Sequence, residues 1–163
     1  MKLFIRQSFT QADNNQQQLV QSLMYLIESE YKDVSFLTGT LALNKNTFVE
    51  HFEQRNKIKF TPRSFRNHRL ELIKQCDAMI FIRTSMSESG AFELAHNLSL
   101  ETPKPVFYAH WINAPIKTTL LKDLADDYPV VYNEFDSAYD ISKGLNTFFK
   151  KFELINFEDT LTS

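Results

Sequence analysis

The chain is poor in several residue types, and each shortage excludes something. A lone cysteine, Cys76, rules out an internal disulfide and fits a reducing compartment. Lys and Arg number 18 against 20 Asp and Glu, for a formal net charge of -2, so the chain has no basic field to hold nucleic acid or an anionic membrane surface. No stretch approaches the roughly 18 consecutive apolar residues of a membrane span. The apolar run at the start, Leu3-Phe4-Ile5, is too short for the core of a signal peptide, which makes the cytoplasm the expected location. Glycine occurs only 3 times, as Gly39, Gly90 and Gly144, so each marks a position where the backbone needs room or a positive φ.

What is abundant is apolar and ring-bearing. The hydrophobic share is 43% and the aromatic share 13%, with 15 Phe, which predicts a core rich in rings. A length of 163 residues suits one domain over 1–163, burying about two-thirds of its unfolded surface. Five apolar runs read as strands: Leu3-Phe4-Ile5, Val34-Ser35-Phe36-Leu37, Ala78-Met79-Ile80-Phe81-Ile82, Pro105-Val106-Phe107-Tyr108-Ala109 and Pro129-Val130-Val131-Tyr132. They do not alternate with polar residues, as expected of strands buried on both faces.

Between the runs lie helical stripes. Leu19, Val20, Leu23, Met24, Ile27 and Tyr31 form the first; Leu72, Ile73 and Cys76 follow a helix start at Thr61-Pro62. Ala91, Leu94, Ala95 and Leu98 form the third, and Ile141, Leu145, Phe148, Phe149 and Phe152 the last. Strand and helix alternating in this way predict an α/β fold, a doubly wound five-stranded parallel sheet of flavodoxin or Rossmann type, order 2-1-3-4-5, with helices on both faces. Two segments depart from the pattern. The connection 38–61 is long enough for a lid or an ornamental excursion, with a short helix opened by the capping-box spacing Thr47-Phe48-Val49-Glu50. The tail 153–163 either frays or docks on a partner subunit.

In open parallel sheets, ligands bind beyond the carboxyl ends of the strands where strand order reverses. Here that point lies between the first and third strands, past Arg6-Gln7-Ser8-Phe9 and Arg83-Thr84-Ser85-Met86, which lead into 87–93; the fourth strand adds His110, Trp111 and Asn113. Glu93 stands out. At about 100° per residue it falls roughly opposite the stripe Ala91, Leu94, Ala95 and Leu98, in what reads as a helix's first turn. A carboxylate there stabilises the helix dipole by about 0.3–1 kcal/mol and needs no further purpose. A capping box does not account for it, because the residue three after Ser89 is Phe92 and three after Ser87 is Gly90. Dipole complement and catalyst both remain open.

The segment Asp77 at a strand start, then Ser89-Gly90-Ala91-Phe92-Glu93-Leu94-Ala95, then Lys104-Pro105-Val106, resembles the nucleoside 2-deoxyribosyltransferase family over about 77–109. The small deoxynucleoside monophosphate glycosidases and TIR domains share that layout. The resemblance implies cleavage of an N-glycosidic bond, by hydrolysis or 2-deoxyribosyl transfer, on a nucleoside or nucleoside monophosphate, with no cofactor and with a homo-oligomer as the working unit. It implies Glu93 as nucleophile or stabiliser of an oxocarbenium-like transition state. Asp77 matches an acidic position of the family, and Glu88 stands nearest its acidic helper. Ser87, Ser89 and Gly90 would meet the sugar or a 5′ phosphate at the helix start, and Ser8 and Phe9 loosely match the segment after the first strand. The tyrosine common on that strand is replaced here by Phe4 or a neighbour.

Arg6 and Arg83 are additions to the pattern that, with Arg63, Arg66 and Arg69 on the preceding helix, would suit a phosphate; Arg66 and Arg69, three apart, read rather as a solvated helix face. Trp111 would either stack on a base or fill the end of the sheet, and the resemblance, in which a dimer partner often completes the site, implies that role for Asn113, Asn133 or neither. His68 and His96 lack ligand-like spacing, so no metal site is expected, and Cys76 reads as a packing residue. A phosphoribohydrolase is disfavoured because a Gly-Gly-x-Gly loop is missing. The alternative to catalysis is a nucleotide-binding or signalling module of the same fold.

Overall fold

A computed structural model describes residues 1–7, 14–39 and 47–155. The strands β1 (Lys2–Gln7), β2 (Ser35–Phe36), β3 (Ala78–Arg83), β4 (Val106–Trp111) and β5 (Val130–Phe135) form one sheet in the order β2-β1-β3-β4-β5. Every pairing is parallel, with Ile5 beside Ile80, Ile80 beside Phe107 and Phe107 beside Val131. The predicted α/β class and strand order are therefore what the chain adopts.

The unbroken apolar runs follow from this arrangement, since each central strand feeds two cores. Leu3, Ile5, Ile80 and Phe107 point to one side, where α1 (Asn14–Glu30) and α5 (Ala138–Lys151) close over them with Leu23, Ile27, Leu145 and Phe148. Phe4, Met79, Phe81 and Tyr108 point to the other side, under α3 (Pro62–Gln75) and α4 (Glu88–Leu98), with Ile73 and Leu94. Fully burying one such side chain stabilises the fold by about 1.5–3 kcal/mol. The second strand is shorter than its run Val34-Ser35-Phe36-Leu37 predicts: it stands at the sheet edge, and only Ser35 and Phe36 are assigned to the ladder.

The helix starts are chemical. Thr61 accepts from the Ser64 amide while the Ser64 hydroxyl answers the Thr61 amide, with Pro62 at the first helical position. Ser137 and Asp140 repeat the exchange at α5. The capping box expected at Thr47 does not form. Thr47 sits at φ -106 and ψ 0 rather than in the extended geometry of a cap, and its side chain makes no capping bond to α2 (Phe48–Asn56). That helix is instead pinned by rings: Phe48 and Phe52 meet Phe60 and Phe65 edge-on at 5.4 to 5.8 Å. Part of the expected lid, 40–46, and most of the tail, 156–163, lie outside the described residues. Among the described residues no helix is long and apolar enough to cross a membrane.

Two glycines carry backbone arguments. Gly39 holds φ +92, a conformation other residues rarely adopt. Gly144 has an ordinary helical backbone but no space: a Cβ there would run into the Asn133 side chain and stand 3.0 Å from Cζ of the fully buried Phe107. Gly144→Ala should therefore destabilise by about 1–3 kcal/mol through overpacking, against the roughly 1 kcal/mol that alanine gains in helix propensity. Urea unfolding decides it, and a rise in stability would mean that Phe107 yields easily.

Cys76 is the packing residue that the sequence suggests, fully buried and donating to the Ile73 carbonyl at 3.1 Å. Burial pushes its thiol from 9.0 up to about 12, so the folded chain keeps this proton to higher pH than the unfolded chain does. Its contribution to stability is complete below 9.0 and is lost as pH rises from there towards 12. Burial also raises the Tyr31, Tyr108 and Tyr132 phenols, with the same sign. The urea midpoint should therefore fall between about pH 8 and about pH 10.5, and fall less in Cys76→Ala. Equal midpoints at the two pH values would contradict this.

Candidate functional site

Strand order reverses between β1 and β3, and a cleft opens beyond their carboxyl ends. It measures about 290 Å³, including its open mouth. Arg6 and Gln7 from the end of β1 and Ile82 and Arg83 from the end of β3 form its rim. The rings of Phe81 and Tyr108, stacked at 5.4 Å and 16°, form an aromatic wall. Ser85, Ser87 and Gly90 complete it from the turn that leads into α4.

The start of α4 differs from the reading of the sequence. Ser87 is the cap: it is extended, and its hydroxyl accepts from the Gly90 amide at 3.1 Å. The helix thus begins at Glu88, and Glu93 stands a turn further in, beyond the reach of a first-turn dipole effect. Glu88 occupies the position that the dipole favours. Nor does Glu93 face away from the core. The buried face of α4 is Gly90, Glu93, Leu94 and Asn97, and Glu93 is only 5% exposed, whereas Ala95 points to solvent.

A buried carboxylate needs partners, and Glu93 has two. Arg69, from α3, grips it as a fork, Nε to Oε1 at 2.7 Å and Nη2 to Oε2 at 3.1 Å. The Arg69 guanidinium lies over the Phe4 ring, 4.3 Å from its centroid. Arg6 approaches from the cleft side, with Nε 3.4 Å from Oε2 and Nη2 donating to Ser87 Oγ at 3.3 Å. Burial lowers the Arg6 pKa; Glu93 opposes that shift, and the second guanidinium, Arg69, adds to it. The expectation of a solvated face for Arg66 and Arg69 thus holds for Arg66 alone. Arg69 turns inward because a buried acid, 24 residues on, awaits it.

Of the residues singled out in the sequence, Arg6, Arg83, Ser87 and Gly90 come together at the cleft, with Glu93 directly beneath Arg6. Arg83 donates to the carbonyls of Ala114 and Pro115, tying β3 to the loop after β4. Ser89 and Glu88 are exposed on the outer side of the first turn. Asp77 is at the wrong end of the sheet: its carboxylate accepts from the Lys2 amide at 2.6 Å, fastening the starts of β1 and β3, roughly 20 Å of strand from the cleft. Trp111 packs on the α1 and α5 side, the opposite face from Glu93, and Asn113 is exposed. Ser8 and Phe9 lie outside the described residues.

The sequence reading missed Phe81 and Tyr108 as site residues, set Arg69 aside as solvated, and placed Gln7 at the mouth without giving it a role. Gln7 is 7% exposed, and its Oε1 has no hydrogen-bond partner among the described residues, leaving an acceptor at the cleft. A glutamine closing an apolar strand at the switch point was the available signal. Burial raises the Tyr108 phenol, against the pull of Arg83, so it stays protonated as a donor at neutral pH.

No protein-family model matches the chain, and no curated protein matches it. Among solved structures it is similar to a CMP N-glycosidase of Clostridium botulinum, BcmB, with a TM-score of 0.65 and 12% identity. The likeness covers 91% of this chain and 99% of that one. At that identity the likeness is one of fold.

Proposed function

We propose that the chain hydrolyses the N-glycosidic bond of a nucleoside monophosphate, with Glu93 as the carboxylate that meets the anomeric carbon. The observation that carries this reading is the position of Glu93, a buried acid oriented by a two-point arginine grip immediately behind the switch-point cleft. The fold likeness to a CMP N-glycosidase supports the same chemistry. When the bond from C1′ to the base nitrogen breaks, its electron pair leaves with the base, which takes up a proton. Positive charge develops at C1′, and the Glu93 carboxylate either bonds to it or holds it electrostatically until water delivers hydroxide. Arg69 would keep the carboxylate in one orientation. Arg6 and Arg83 give the cleft two cations for the phosphate, and Tyr108 offers a neutral donor. Transfer to a second base would use the same first half of the reaction.

One observation favours a non-catalytic nucleotide-binding module instead. Glu93 does not line the cleft, and both its oxygens are held in ion pairs. Incubation with CMP, other nucleoside monophosphates, their deoxy forms and free nucleosides, followed by chromatography for released base, separates the two. Released base supports hydrolysis. A protein inert towards all of them, but raised in melting temperature by a nucleotide, is the binding module.

A further inference from the structure

We propose that Arg6 is a cover over Glu93 that the substrate's own phosphate draws aside, so that the site selects phosphorylated nucleotides by uncovering its carboxylate only when an anion is bound. The proposal rests on the assignment of Glu93 above.

The two arginines hold Glu93 unequally. Arg69 makes two bonds of normal length and is backed by the Phe4 ring, so it is fixed. Arg6 is held loosely. Its Nε is buried without a hydrogen-bond partner among the described residues, the Glu93 oxygen being 3.4 Å away. Its Nη2 reaches Ser87 Oγ at 3.3 Å, beyond the usual range for an N–H donor, and that oxygen already accepts from Gly90. A buried guanidinium with an unused donor is costly. Arg6 also shares its one counter-charge with another cation.

The cleft supplies the alternative. Among the described residues its lining contains Arg6 and Arg83 and no carboxylate, and the hydrogen bonds of Arg83 go to the neutral carbonyls of Ala114 and Pro115. A phosphate placed there offers Arg6 the two-point, charge-assisted contact that Glu93 already gives to Arg69. The exchange leaves no buried charge alone, because Glu93 keeps Arg69. A neutral nucleoside brings no counter-charge, so Arg6 stays over the carboxylate.

The test supplies the phosphate in a separate piece. Wild-type protein should release base from CMP faster than from cytidine by on the order of tenfold or more, and saturating inorganic phosphate should raise the cytidine rate. Arg6→Ala, and independently Arg6→Gln, should raise the cytidine rate without phosphate and abolish the response to phosphate. Cytidine turnover that ignores phosphate in the wild type, or a CMP-to-cytidine ratio unchanged by both variants, overturns the cover. If the wild type releases base from nothing, the hydrolytic reading falls on its own, and the cover is still decided by crystal structures of the full wild-type chain without and with CMP. Arg6 on the phosphate and away from Glu93 supports it; Arg6 unmoved over Glu93 with CMP bound, or no CMP bound at millimolar concentration, overturns it.

Discussion

Glu93→Gln is expected to lower base release from CMP by on the order of a thousandfold or more, the scale of losing a group that acts directly on the reacting carbon. The substitution removes the charge at nearly constant volume, and because it also leaves Arg69 and Arg6 without their counter-charge, rates are compared well below the variant's own melting temperature. Glutamine has nearly the same volume and keeps one carbonyl oxygen, so it can receive one of the two Arg69 bonds now made to the carboxylate at 2.7 and 3.1 Å. What it cannot do is neutralise an oxocarbenium-like centre or bond to it. A lower melting temperature is expected either way, so turnover decides: a purely structural Glu93 would leave ordinary turnover well below that temperature. Glu93→Asp refines the test. Shortening the chain by one methylene draws the carboxylate back by about 1 Å, and misplacement of that size costs on the order of a hundredfold. An order of rates in which wild type exceeds Asp and Asp exceeds Gln would mark distance and charge as separate requirements. Equal rates for wild type and Gln would remove Glu93 from the chemistry.

The fold was more legible in the sequence than the interior of the site, and the difference is physical. Runs such as Ala78-Met79-Ile80-Phe81-Ile82 announce burial on both faces, which only a covered parallel sheet provides, and β3 follows that run. The cleft followed from topology once the strand order was assumed, and Arg6, Arg83, Ser87 and Gly90 all reach it. The face of α4 was misread because a hydrophobic stripe assigns every polar residue to solvent. Asn97 and Glu93 are buried by specific bonds instead: Asn97 clasps both the N–H and the C=O of Lys104 at 2.9 Å, and Glu93 clasps arginine. Ala95, small enough to be tolerated anywhere, was placed in the core and is exposed. Arg69 was lost for a related reason. Its spacing from Arg66 says only that the two share a helix, whereas its partner lies on another helix and is joined to it by the packing of α3 beside α4. Asp77 went the opposite way. An acid at a strand start matched a family position, but the strand carries it to the far end of the sheet, where it binds the Lys2 amide.

Arg69→Met should then be the most damaging change to stability near the site, at about 3–5 kcal/mol, the usual cost of breaking a buried ion pair from one side. Glu93 has a side chain only 7% exposed, and without Arg69 it retains a single cation at 3.4 Å and no two-point bond. Removing the guanidinium also strips a cation from the Phe4 ring. For a chain of this size the melting temperature should fall by roughly 6–20 °C. The double variant Arg69→Met with Glu93→Leu should recover much of that loss, since it removes the stranded charge along with its partner. Arg69→Lys should sit between wild type and Met in stability, because it keeps the charge and loses the fork. If Arg69 positions the carboxylate as proposed, Arg69→Lys lowers kcat for CMP while KM stays close to wild type, as expected of an interaction that matters in the transition state more than in binding. Thermal unfolding and steady-state base release on the same preparations read both effects. A loss below about 1 kcal/mol in Arg69→Met would put the pair in the class of exposed ion pairs. The water that such a result implies around Glu93 would also mean that Arg6 covers nothing.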